Sequence, residues 1–418
     1  MANERESELN DILRGIAESL DIPSSKYNQA VKSYRAVGDW LEGGQYGGCL
    51  GVPDIFPQGS FRLGTVVRPV RDGKETNYDI DLVCQVPMAK SIMIPGTLKC
   101  DVGDRLKEHA DYRRMLDAEG RRCWTLEYAE QDDIGFHMDI LPAVPDDDNF
   151  KNQLVVHGIP WEYAQHALAI TEKNRRTGSY SWKMGGTNPA GYADWFQNIN
   201  RPMFVKVAST QKRLLMENQR AIYCSVDDVP DALVRTPLQR VVQILKRHRD
   251  MRFLRHKWED YKPISIIITT LAAQAYQSES DVYSALRNIV DRLDVYARLL
   301  SPAVVIREDL PGNLIRKQDG RWYIPNPVNH GENFADRWNE AGSYCAEAFF
   351  HWTTWVKKDL QTALGLRDIR ATRSFLEPAF GRQVTETVLP PKPAPSRVTY
   401  PAVSIINPSK PWGANGGR

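Results

Sequence analysis

Cysteine is scarce in this chain and never closely spaced. Cys49, Cys84, Cys100, Cys123, Cys224 and Cys345 include no Cys-x-x-Cys pair, which argues against a disulfide framework. Cys84 and Cys123 sit in apolar runs, the pattern of reduced core thiols, so a cytoplasmic protein is expected. An excess of either charge is also lacking: 54 Lys and Arg face 52 Asp and Glu, for a net charge of +2. That excludes a global nucleic-acid-binding field and leaves only local basic surface, as at Lys246-Arg247-His248-Arg249 and at Arg252 and Arg255. No apolar run approaches the roughly 18 residues of a membrane span, and no signal peptide opens the sequence, so no membrane role is expected. With 418 residues and ordinary apolar and charged fractions, the chain can fill two domains, or one two-lobed unit, with a large core.

The most informative stretch runs from Pro57 to Val86. It opens on Gln58-Gly59-Ser60, a turn offering backbone N–H groups and a hydroxyl. It closes on Asp79-Ile80-Asp81 within an apolar run that reads as a strand through Val86. Side chains alternate on a strand, so Asp79 and Asp81 share a face, about 7 Å apart. Two such carboxylates repel and are costly to desolvate unless a divalent cation lies between them. Asp139 stands alone in a second apolar run, Gly135 to Leu141, which follows the alternating strand Arg122–Tyr128 as a hairpin. Three carboxylates on neighbouring strands suit two Mg²⁺ ions, with the Gly-Ser turn left for a triphosphate.

Elsewhere the periodicity predicts helices over 3–20 and 26–41, a spine for the sheet, and another around 103–118. Residues 71–77 read as a surface loop, Asp146-Asp147-Asp148 as a solvated acidic loop, and Asn188-Pro189-Ala190-Gly191 as turns. Thr236-Pro237-Leu238-Gln239 has an N-cap, a first-turn proline and a capping-box glutamine, so a helix starts there. A buried helix begins at Ser265, where free N–H groups could meet a phosphate and Lys246 on the adjacent helix could add a charge. A helix covers 281–300, and Asn333 caps a long final helix. From Val384 onward seven prolines and few apolar anchors predict a flexible tail.

Gly-Ser, Asp-x-Asp and a lone later Asp resemble the signature of the nucleotidyltransferase superfamily. The order of parts further resembles the CD-NTases, the cGAS/DncV-like enzymes of bacterial CBASS anti-phage operons. Gln-Gly-Ser-Phe-Arg at 58–62, Tyr-Asp-Ile-Asp-Leu at 78–82, Met-Asp-Ile-Leu-Pro-Ala at 138–143 and Asn-Pro-Ala-Gly-Tyr-Ala-Asp-Trp-Phe at 188–196 carry this resemblance. So do Ile-Pro-Asn-Pro-Val at 324–328 and Glu-Asn-Phe-Ala-Asp-Arg-Trp at 332–338. It implies an α+β, two-lobed polymerase-beta-like fold: a mixed-sheet catalytic lobe over 1–200, a helical lobe over 201–383 and a Pro/Gly-rich tail over 384–418. Carried over, Asp79, Asp81 and Asp139 are the catalytic and metal-ligating residues, for two Mg²⁺ with Mn²⁺ able to substitute. Gln58, Gly59, Ser60, Lys246 and Ser265 are the nucleotide-binding ones. The implied function is synthesis of a cyclic di- or trinucleotide second messenger from NTPs, ATP or GTP or both, with release of pyrophosphate. The cyclic product would reach a downstream effector, and a ubiquitin-transfer-like operon partner would act on the tail. No Cys/His cluster suggests a zinc thumb, so activation by double-stranded DNA is not implied. The alternatives are a template-independent polymerase that makes linear oligonucleotides or modifies an RNA end, and a degenerate, non-catalytic binding module.

Overall fold

A computed structural model describes residues 2–389 apart from 69, 72–73, 132–133, 221, 301–312 and 367. The central sheet is built from β1 (Asp54–Gln58), β2 (Tyr78–Gln85), β3 (Trp124–Gln131), β4 (Ile134–Pro145), β5 (Leu168–Lys173) and β6 (Tyr180–Trp182). Its order is β1-β2-β4-β5-β6, with β3 paired to the first half of β4. Only the β2–β4 pair is parallel among these strands, so the sheet is mixed, as expected. The helices used below are α1 (Ala2–Ser19), α2 (Ser24–Glu42), α3 (Gly59–Leu63), α4 (Pro95–Glu108), α5 (Pro189–Asn218), α6 (Pro237–Phe253), α7 (Ser265–Ala275), α8 (Val282–Asp294), α9 (Cys345–Gly365), α10 (Ile369–Phe380) and α11 (Arg382–Val388).

Strand alternation decides which sheet face is buried. Ile80, Leu82 and Cys84 of β2, and Met138 and Ile140 of β4, join Val37 and Leu41 of α2 and Leu98, Val102 and Leu106 of α4 in one core. The odd-numbered positions, Asp79, Asp81 and Asp139 among them, therefore share the opposite face. A second, larger core joins α1 (Leu9, Leu13, Ile16) to α6 (Leu238, Val241, Leu245), α7, α8 and α9 (Phe349, Trp352). The two expected spine helices thus divide: α2 backs the sheet, whereas α1 packs with the helical layer. No helix among the described residues is long and apolar enough to cross a membrane.

Several local expectations are corrected, each by a contact to distant residues. The Asn188-Pro189 turns are the start of a 30-residue helix: Asn188 Oδ1 accepts from Gly191 N at 3.0 Å, and Pro189 fills the first turn. The lobe boundary expected at residue 200 falls inside this helix. The helix expected at 103–118 starts earlier, at Pro95, and breaks at His109, which caps a second short helix, Ala110–Met115. The 71–77 loop includes a paired ladder, Val70–Arg71 with Lys74–Glu75. Asn333 caps no helix; its Oδ1 accepts from the backbone N of Ile324 and Ala335, ending a hairpin, and α9 begins only at Cys345. The helix expected over 281–300 is α8 followed by a 3₁₀ turn, Val295–Leu300. Val384 and Leu389 are buried and α11 packs on α1, so the packed chain continues past the expected tail start. Residues 390–418, the rest of the tail, lie outside the described residues. The capping box at Thr236 is present in full.

Candidate active site

β2 and β4 run side by side with Asp81 opposite Asp139, and Asp79 opposite His137. In a parallel pair, opposite residues project from the same face, so Asp81 and Asp139 are lateral neighbours, about 4.8 Å apart in strand spacing. On the other side of β2, Gln58 of β1 lies opposite Asp81. On the far side of β4, Thr125 of β3 lies opposite Asp139. One cross-strand row therefore reads Gln58, Asp81, Asp139, Thr125. Asp79 is exposed, and Asp81 and Asp139 are half-buried.

β1 ends at Gln58, and the chain turns at once into α3 through Gly59, whose φ is +61°. This left-handed turn needs glycine for a second reason as well. A Cβ at 59 would stand 2.2 Å from Asp81 Oδ2, so the backbone before Ser60 lies against the carboxylate. Ser60 is held from the helical layer: Lys246 Nζ donates to Ser60 Oγ at 2.8 Å, to Thr65 O at 3.0 Å and to Thr65 Oγ1 at 3.2 Å. A largely buried polar stripe of α6 meets the 60–66 segment, with Gln239 donating to Leu63 O and Gln243 to Val66 O. Ser265 starts α7 as expected, but its Oγ accepts from Arg249 Nη1 at 3.2 Å. Two large cavities, about 920 and 880 Å³, are lined by neither Asp81 nor Asp139; the acids stand on the sheet face.

Burial pushes the Asp81 acid up to about 7, helped by the charges of Asp139 and Asp79 and partly offset by Lys246. Burial, with Arg249 nearby, lowers Lys246 to about 7. These shifts predict an opposed pH dependence in metal-free protein. Between about 4 and 7 folded Asp81 keeps a proton that the unfolded chain has lost, so its contribution to stability falls as pH rises. Above about 7 folded Lys246 has lost a proton that the unfolded chain retains to roughly pH 10, so its contribution rises with pH. Urea melts in EDTA should therefore show Asp81→Asn flattening the decline between pH 4 and 7. An unchanged slope would remove Asp81 as its source.

Residues 53–142, which hold this whole row, match the family model of the cyclic GMP-AMP synthase DncV-like nucleotidyltransferase domain. Over that segment the chain is similar to the CD-NTases. A curated relative from Roseivirga ehrenbergii, named c-di-GMP synthase, is 26% identical over 369 residues, covering 87% of this chain and 82% of the relative. The fold is shared with CdnG of Bradyrhizobium diazoefficiens, a CD-NTase solved with GTP: TM-score 0.62, 20% identity, 91% of this chain and 98% of that one. CdnC of Escherichia coli, solved with ATP, follows with TM-score 0.53, 15% identity, and coverage of 89% and 96%.

The acidic loop 146–148 is partly structural. Asp146 is buried and takes Lys90 Nζ at 2.6 Å, while Asp147 caps the next helix by accepting from Phe150 N. The expected solvated reading holds for Asp148 alone. Sequence reasoning missed Thr65 and Lys99. Lys99 is fully buried and donates to Cys123 O at 2.8 Å behind the acidic row. It also missed Thr125, although the alternation of 122–128 could have placed it opposite Asp139.

Proposed function

We propose that this nucleotidyltransferase joins NTPs, GTP among them, into a cyclic di- or trinucleotide with release of pyrophosphate, as a second messenger in anti-phage defence. The observation that carries it is the register of Asp81 beside Asp139 with the Gly59-Ser60 turn against Asp81. The likeness to a c-di-GMP synthase along 87% of the chain supports the cyclic product and the guanine substrate.

Among the described residues no three Asp, Glu, His or Cys side chains close into a metal cage. Mg²⁺ keeps waters and takes one or two carboxylates plus substrate phosphates. The donor set is all carboxylate oxygen, and burial, with the charges of Asp139 and Asp79 adding to it, raises the Asp81 acid. Asp79, Asp81 and Asp139 would hold two Mg²⁺, or Mn²⁺ in their place. When bound, these ions supply Lewis acidity to the acceptor ribose hydroxyl and to the leaving pyrophosphate. The chain itself aligns the reactants. The Gly59-Ser60 turn presents backbone N–H groups and the Ser60 hydroxyl to the donor phosphates, and Lys246 fixes that hydroxyl. The acceptor hydroxyl attacks the α-phosphorus, its P–O bond forms as the bond to pyrophosphate breaks, and a second transfer closes the ring. The same reading assigns the product to an effector protein and residues 390–418 to a ubiquitin-transfer-like partner.

Incubation of the protein with the four NTPs and Mg²⁺ or Mn²⁺, followed by phosphatase and mass spectrometry, tests this. A phosphatase-resistant mass lacking terminal phosphates supports it; linear, dephosphorylated oligomers would make the enzyme a template-independent polymerase instead. Within the site, Ser60→Ala should weaken turnover moderately. Lys246→Ala should raise the apparent KM for NTP more than it lowers kcat. An unchanged KM would confine Lys246 to bracing Ser60 and Thr65.

A further inference from the structure

We infer that Thr125 is a positioning residue for the reaction: its hydroxyl fixes the Asp139 carboxylate in the geometry that metal binding and transfer need. This rests on the proposed role of Asp139. The bond itself is direct. Thr125 Oγ1 donates to Asp139 Oδ1 at 2.5 Å, between residues that pair across the β3–β4 ladder.

The row supplies the reason for the bond. Asp139 has Asp81 as its neighbour on one side, and their like charges push the two side chains apart. A carboxylate free to turn about its χ angles would relieve that repulsion by swinging away from the position a cation needs. Thr125 removes this freedom from the other side, engaging Oδ1 and leaving Oδ2 outside this tether. Threonine suits the task better than serine, because its β-branch restricts χ1 on a strand and so fixes the donor before any ligand arrives. Its backbone is fixed as well. Thr125 O accepts from Asp117 N at 2.9 Å, and Leu116 bridges to Leu126, so a second segment braces the outer edge of β3. Cys123, just before β3, also brings its thiol to Asp139. The Cys123 carbonyl takes the buried Lys99 ammonium. The outer edge of β3 is thus braced, and its Thr125 hydroxyl engages Asp139 Oδ1 directly.

Partners that orient a metal-ligating side chain typically control about 10- to 100-fold in affinity or rate. Thr125→Val keeps the shape and removes the hydroxyl, whereas Thr125→Ser keeps the hydroxyl. Mn²⁺ binding is read by loss of the free-ion EPR signal, and turnover by pyrophosphate release from GTP and ATP. Thr125→Val should bind Mn²⁺ about tenfold more weakly and lose roughly 10- to 100-fold in kcat, with KM for NTP within about twofold. Thr125→Ser should recover most of both. A purely structural role would lower thermal stability and leave Mn²⁺ affinity and kcat per folded molecule alone, which overturns the inference. Asp139→Asn separates the two levels. If it is inactive while Thr125→Val matches the parent, only the role of Thr125 falls. If Asp139→Asn itself turns over normally, the assignment of the acids falls with it.

Discussion

Asp81→Ala should leave no more than about a thousandth of parental turnover, and Asp79→Ala and Asp139→Ala should do the same. The expectation comes from the sheet. Asp81 and Asp139 are opposite partners on parallel strands, and Asp79 shares their face two residues before Asp81. Losing one carboxylate removes several kcal/mol of charge stabilisation that exists only as pyrophosphate departs. The same variants should not unfold the protein. Without metal the like charges of the row repel, and burial first, then Asp139 and Asp79, raise the Asp81 acid to about 7. Removing a member relieves that repulsion, and the Tm in EDTA at pH 7 should stay level or rise. Pyrophosphate release beside thermal melts reads both halves. A large fall in Tm would mean that lost activity reports a damaged fold.

Gly59→Val should be nearly as severe, though the residue bears no functional group. Its φ of +61° costs a β-branched residue about 1–2 kcal/mol in backbone strain. The steric conflict is worse: the new Cβ would sit 2.2 Å from Asp81 Oδ2 and 3.1 Å from its Cγ. Either the carboxylate moves from its place beside Asp139 or the turn before Ser60 opens, and both outcomes disarm the site. A loss of roughly a hundredfold or more in kcat is expected, far beyond that of Ser60→Ala. Gly59→Ala has the same Cβ and should share most of the loss. Parental kcat in either variant would show that the turn relaxes without disturbing Asp81.

The acidic row was legible in the sequence because it follows from alternation alone. Residues 79, 81 and 139 lie in apolar runs whose period puts them on one face, and a hairpin from 122 to 143 brings the third acid into the sheet. The capping box at Thr236 was legible for a similar reason, since a local bonding pattern has a local spacing. What sequence misread depended on partners far along the chain. Asn188-Pro189 looks like a turn, yet a buried Asn188, also donating to Tyr163 O and Val328 O, makes it a helix start. Asn333 looks like a cap, yet its bonds close a hairpin. Lys246 looked like a charge free for phosphate. Its bonds to Ser60 and Thr65 cross 186 and 181 residues of chain, a distance that no motif encodes.

Crystals grown with Mn²⁺ and a non-hydrolysable GTP analogue test the account most directly. The account predicts anomalous density for Mn²⁺ against the carboxylates of Asp81 and Asp139, with the β- and γ-phosphates at the Gly59-Ser60 turn. Nucleotide bound in the cleft with Mn²⁺ away from all three acids would contradict it.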